Sequence, residues 1–123
     1  PYPETIPSEN ELAEMCASLS LKGPQMIVVT GIPVDDKHIM NFLYDHGETS
    51  TVLVDRIGPD RSGTGDVVSS VIAGGYLNNH TFYESVKKAT EFSSKCIAYS
   101  EELETPTYYG LCFEQYLSEL GDF

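Results

Sequence analysis

Met26-Ile27-Val28-Val29-Thr30 is a short apolar run, rich in β-branched residues, fenced by Gly23-Pro24 before it and Gly31-Ile32-Pro33 after it. Branched side chains suit a pleated surface, so the run predicts a strand. It is apolar throughout instead of alternating, which predicts a strand buried on both faces. A helix precedes it. Ser8-Glu9-Asn10-Glu11 has the spacing of a capping box, in which Ser8 and Glu11 satisfy each other's open backbone donors. Leu12, Met15, Cys16 and Leu19 then trace one apolar stripe until Gly23-Pro24 ends it. Helix, turn and buried strand together predict an αβ unit feeding a covered sheet.

Residues 37–44 and 48–54 follow as two further strands around Asp45-His46-Gly47, a hairpin signal that predicts an antiparallel pair. Residues 57–64 hold two glycines, Pro59, Asp60, Arg61 and Ser62, and read as a loop. Val67, Val68, Val71, Ile72 and Gly75 trace a helical face from Gly65 to about Asn78. Thr81-Phe82-Tyr83-Glu84 is a second capping box, opening a long helix with Phe82, Val86, Ala89, Phe92, Cys96 and Ile97 inward. Phe113, Tyr116, Leu117 and Leu120 predict a short closing helix. The order α-β-β-β-α-α-α is that of a layered α/β piece.

Composition narrows the function. The chain of 123 residues carries seven basic and nineteen acidic residues, a net charge of −12. Nucleic-acid binding needs a cationic face, so that partner class is excluded. No apolar run approaches the roughly 20 residues of a membrane span, and no signal-peptide pattern is present. Cys16, Cys96 and Cys112 are scattered and odd in number, so they predict packed thiols in a reducing cytoplasm instead of a zinc site or disulfides. The first residue is Pro1, and Pro1-Tyr2-Pro3 reads as a linker, so a preceding segment is expected.

The stretch that carries chemistry is Arg61-Ser62-Gly63-Thr64-Gly65-Asp66, a glycine-rich loop running directly into an apolar helix. Glycines let the backbone approach a ligand, and the open N–H groups of a first helical turn, with the helix dipole behind them, hold a phosphate. An acidic chain can bind a phosphorylated ligand in this way. Asp66 has two readings: a carboxylate that stabilises a helix start, or a general base for a substrate hydroxyl. Arg61 is a lone cation that meets either a nucleotide phosphate or solvent. The loop is neither a Walker A sequence nor a dinucleotide fingerprint. His38, His46 and His80 are isolated and read as surface residues. The eight tyrosines read as packing and rim positions, and Glu101, Glu102 and Glu104 as a solvated helix end within reach of a magnesium contact.

Ser62-Gly63-Thr64-Gly65-Asp66-Val67, continued by Ser69-Ser70-Val71-Ile72-Ala73-Gly74, resembles the GTGD signature of pyridoxal kinases in the ribokinase-like superfamily. The resemblance takes in Val28-Val29-Thr30-Gly31 upstream and Ser85-Val86-Lys87-Lys88-Ala89 downstream, and spans about residues 8–120. It implies a three-layer α/β/α fold whose mixed sheet contains a β-hairpin between flanking helices. Residues 1–123 would then be the C-terminal part of one kinase domain, inactive without its N-terminal half.

It further implies that Asp66 is the catalytic base and that Gly63, Thr64 and Gly65 form the anion hole. It also implies Thr30 and Gly31 on the nucleotide side, and Ser62 and Arg61 of the same loop are further phosphate- or ATP-binding candidates. ATP, Mg2+ and a B6 vitamer are the implied ligands, with the metal ligands unassigned. Without the N-terminal half, the apolar strand Met26 to Thr30 would keep an unpaired edge, so the fragment is expected to self-associate as a homodimer. Sugar kinases of the superfamily usually read GAGD and hydroxymethylpyrimidine phosphate kinases GTGC, so Thr64 with Asp66 points to the vitamin B6 branch. Val68 departs from the pattern, where phenylalanine or threonine is common. The alternatives are a hydroxymethylpyrimidine or sugar kinase, or a non-catalytic nucleotide-binding or dimerisation module.

Overall fold

The computed structural model describes residues 5–123, so the linker reading of Pro1-Tyr2-Pro3 lies outside the described residues. The chain divides after Asp55 into two compact units.

The first unit holds α1 (Glu9–Ser20), β1 (Met26–Pro33), β2 (His38–Asp45) and β3 (Glu48–Asp55). The capping box forms as the sequence predicts: Glu11 N–H donates to Ser8 Oγ at 3.2 Å, and Ser8 N–H to Glu11 Oε2 at 2.7 Å. The buried face of α1 is Leu12 and Cys16, with Ala13 packed beside them, whereas Met15 and Leu19 are 58 % and 48 % exposed. The inward stripe is thus rotated toward Ala13 and narrower than predicted.

The sheet runs β1-β2-β3, antiparallel in both pairings. The β2–β3 hairpin turns at His46 and Gly47, whose φ values of 50° and 94° are the two left-handed residues a type I′ turn requires. β1 is only half-buried, a correction to the expectation of full cover: among the described residues it is an outer strand of the three, and the central strand β2 holds the buried run Asn41, Phe42, Leu43, Tyr44. β1 also runs on through Gly31 to Pro33 by way of a bulge. Val29 pairs with Phe42 and Ile32 with Met40, so Thr30 and Gly31 together oppose Asn41. The extra residue changes which face the strand presents. Ile27, Val29 and Ile32 all meet the core formed by Leu12, Cys16, Phe42 and Tyr44, which uninterrupted alternation forbids.

The second unit pairs α2 (Thr64–Leu77) with α3 (Phe82–Glu102), followed by 3₁₀ turns at Thr107–Tyr109 and Glu114–Leu120. The second capping box forms between Thr81 and Glu84. Val71, Ala89, Phe92, Cys96 and Leu111 make its core, joined by Ile72, Ile97, Phe113 and Tyr116. The predicted closing helix is a 3₁₀ segment, Glu114–Leu120, in which Leu117 is half exposed. Lys95 pins that segment to α3, ion-paired with Glu119 and lying 4.6 Å from the Tyr116 ring centroid. Hydroxyls along α3 are buried but satisfied by their own helix: Thr90 and Ser100 donate to Val86 O and Cys96 O at 2.8 and 2.7 Å. Among the described residues no helix is long and apolar enough to cross a membrane.

Candidate functional site

The site grows from the entry to α2. Gly63 is the N-cap in the left-handed region (φ 79°), a conformation that costs glycine nothing, and no side chain caps the helix. Thr64 turns its own hydroxyl back onto Arg61 O at 2.8 Å, and Thr64 N–H reaches the same carbonyl at 3.4 Å. The first α-helical bond is Val67 N–H to Gly63 O at 3.1 Å. The N–H groups of Gly65 and Asp66 therefore stand without a protein acceptor among the described residues. The space before them is open, since a Cβ on Gly63 or Gly65 would meet nothing within 4 Å. A helix start with open donors, a positive dipole end and no obstructing side chain fits a phosphate group.

Asp66 lies in the first turn of α2 and is exposed. Its side chain borders a cavity of about 490 Å³ together with Ser62, Gly63 and Ser70; the remaining wall is apolar, including Val71, Phe92 and Phe113. A carboxylate, unpaired helix-start donors and an apolar recess thus share one opening. That set can hold an anion, orient an apolar ring and accept a proton.

Ser62 is exposed at the loop's edge, its N–H bonded to Thr107 O at 3.3 Å. Arg61 is placed differently from the expectation. It does not face solvent, and the phosphate-contact reading does not fit its geometry: the side chain is 1 % exposed. Nε and Nη2 donate to Glu101 Oε1 at 3.2 and 2.7 Å, Nη2 to Thr105 O at 3.0 Å, and Nη1 to Thr105 Oγ1 and Gly110 O at 3.0 and 3.2 Å. Its donors are committed to the protein, and Glu101 is its counterion, not part of a solvated helix end. Among the described residues no three His, Cys, Asp or Glu side chains gather as a metal site.

Thr30 and Gly31 belong to the first unit, where both are exposed at the β1 bulge. Gly31 adopts φ 70° and donates its N–H to the buried Asn41 Oδ1 at 3.0 Å. Asn41 was invisible in the sequence reading; a lone amide inside an apolar strand was the available signal. The histidines form no common site. His38 faces Asp35 and Asp55, and His46 faces Asp45. His80 is more than a surface residue, its ring stacked on Phe123 at 3.9 Å.

Residues 3–110 match the model of the phosphomethylpyrimidine kinase family. Among curated proteins none matches the chain. A candidate phosphomethylpyrimidine kinase of Bacteroides thetaiotaomicron superposes with a TM-score of 0.89 at 27 % identity, over 97 % of this chain and 42 % of its own. A second crystal form of that protein, containing pyridoxal, gives 0.87 at 28 % identity over 97 % and 43 %. Pyridoxal kinase of Leishmania donovani, in complex with ADP and pyridoxamine, gives 0.79 at 20 % identity over 94 % and 42 %. The fold is thus a ribokinase-like α/β fold, and the chain spans well under half the length of these structures.

Proposed function

Because this chain belongs to the phosphomethylpyrimidine kinase family, we propose that it is the C-terminal, phosphate-binding and catalytic-base portion of an ATP-dependent kinase acting on the 5′-hydroxymethyl group of a B6 vitamer. The observation that carries the reading is the α2 entry, where open Gly65 and Asp66 N–H groups and the Asp66 carboxylate meet at the mouth of an apolar cavity. Phosphoryl transfer asks mostly for positioning and charge stabilisation. Asp66 takes the proton as the substrate hydroxyl oxygen forms its bond to the γ-phosphorus and the bond to the bridging oxygen breaks. The helix-start N–H groups meet the charge on the transferred group. Gly63, Thr64 and Gly65 shape that anion hole, with Ser62 at its rim; Thr30 and Gly31 are the proposed nucleotide-side contacts.

Thr64 together with Asp66 supports the vitamer over a sugar, and the pyridoxal-containing Bacteroides relative is consistent with it. The family's own description favours a second reading, a hydroxymethylpyrimidine as acceptor. Turnover of pyridoxal, pyridoxamine and hydroxymethylpyrimidine by the complete protein separates them. Phosphorylation of a vitamer is expected; exclusive use of the pyrimidine would transfer the assignment, and no transfer to any of the three would leave a binding module.

A further inference from the structure

Arg61 and Glu101 stand apart from the proposed chemistry, yet Arg61 belongs to the anion loop and Glu101, in the last turn of α3, holds its guanidinium. The Arg61 side chain ties the loop to the last turn of α3 through Glu101 and to the segment after it through Thr105 and Gly110, while its backbone carbonyl holds both the N–H and the hydroxyl of Thr64. One residue therefore joins the anion loop to the α3 exit. Two glycines make room for the joint. Gly58, at φ 61°, lies so close to Glu101 that a Cβ there would fall 2.7 Å from its Cδ. Gly110, at φ 81°, passes against Ser62 O, which a Cβ would meet at 3.0 Å. Ser62 N–H to Thr107 O adds a parallel strap at 3.3 Å.

We propose that Arg61 and Glu101 are a positioning pair that fixes the aim of the Gly65 and Asp66 N–H groups at the transferred phosphoryl, without touching it. The inference rests on the proposed kinase reading of this loop. Its physical basis is preorganisation: donors aimed in advance at developing charge act in the transition state, so loosening them costs turnover more than ground-state binding. A fork of guanidinium donors reaching four acceptors at once is a geometry that a lysine ammonium cannot reproduce.

The test uses the complete protein and the variants Glu101→Gln, Arg61→Lys and Thr105→Val. For Glu101→Gln and Arg61→Lys, kcat is expected to fall about tenfold while KM for ATP stays within roughly threefold. Amide hydrogen exchange at Ser62 and Thr64, whose N–H groups are bonded to Thr107 O and Arg61 O, should quicken about tenfold, with the middle of α3 unchanged. Thr105→Val removes one neutral acceptor, so it should move both readouts the same way by less, and it serves if the charged variants do not fold. A lower melting temperature with unchanged kcat and unchanged loop exchange overturns the proposal, leaving the pair merely structural. A raised KM for ATP at constant kcat overturns it too, because Arg61 would then meet the nucleotide. Loop exchange reads independently of turnover: if the wild-type protein transfers no phosphoryl group, the kinase reading fails, while unchanged exchange in an active Glu101→Gln enzyme defeats this inference alone.

Discussion

The ring of Phe123 occupies the space a side chain on Gly75 would need: a Cβ there would fall 2.5 Å from Phe123 Cε1 and 2.7 Å from Ser85 Oγ. Gly75→Ala should therefore overpack this buried contact and cost about 1–3 kcal/mol. Its neighbour is the control. A Cβ on Gly74 meets nothing within 4 Å, so Gly74→Ala should stabilise α2 by roughly 0.5–1 kcal/mol through helix propensity. Urea unfolding of both variants decides it, and equal shifts would mean that Phe123 does not pack there in solution.

Asp66→Asn in the complete protein should lower kcat by roughly a hundredfold or more while nucleotide binding survives, as removal of a general base implies. The amide keeps the shape of the first turn of α2, so folding should be little affected. Near-normal turnover would assign Asp66 to helix stabilisation alone.

What the sequence reveals about this molecule follows the range of the interactions. Ser8 with Glu11 and Thr81 with Glu84 are three residues apart, and both capping boxes form as read. The Asp45-His46-Gly47 turn and the helix start at Gly63 are equally local and equally legible. Arg61 is the counterexample. Its burial depends on Glu101, Thr105 and Gly110, brought back by the fold from the far end of α3, and nothing near Arg61 in the chain announces them. The β1 bulge was hidden for a related reason: Gly31 was legible as a breaker, but only the pairing with β2 shows that the strand passes through it. At the candidate site, the loop and its carboxylate were readable, and the apolar cavity walled partly by residues 111–120 was not.

Cys96 supplies a test at alkaline pH. Burial, reinforced by the nearby carboxylates of Glu119 and Glu114, pushes its thiol from the ordinary 9.0 up to about 11. A raised folded-state value favours the protonated thiol, so the associated stability is complete below pH 9 and is lost as pH climbs from 9 toward 11. Its full size is on the order of 2–3 kcal/mol. Cys96→Ala should flatten the stability profile over this window, relative to its own stability at pH 8. An unchanged slope would assign the alkaline loss to other groups.

The chain of 123 residues by itself should self-associate, most simply as a homodimer. β1 pairs on one side only among the described residues, leaving an apolar strand with an open edge. Repulsion from the net charge of −12 is screened beyond about 8 Å at physiological salt. Light scattering at micromolar concentration is the measurement, and a strictly monomeric mass would show that the edge is protected.

The bulge at Thr30 and Gly31 relieves two neighbouring residues of any duty to the interior. Ile27, Val29 and Ile32 answer to the packing of Phe42, Tyr44 and Met40, and exchanging any of them disturbs the fold. Thr30 and Gly31 answer only to the backbone and to Asn41. Thr30 can therefore change without disturbing the core, whereas the left-handed φ of 70° holds Gly31 to glycine, and loss of one of the two residues would erase the bulge and leave Ile32 on the face of Ile27 and Val29 by plain alternation. The strand tolerates a change of letter at Thr30 and a change of length at the bulge, but resists a side chain at Gly31.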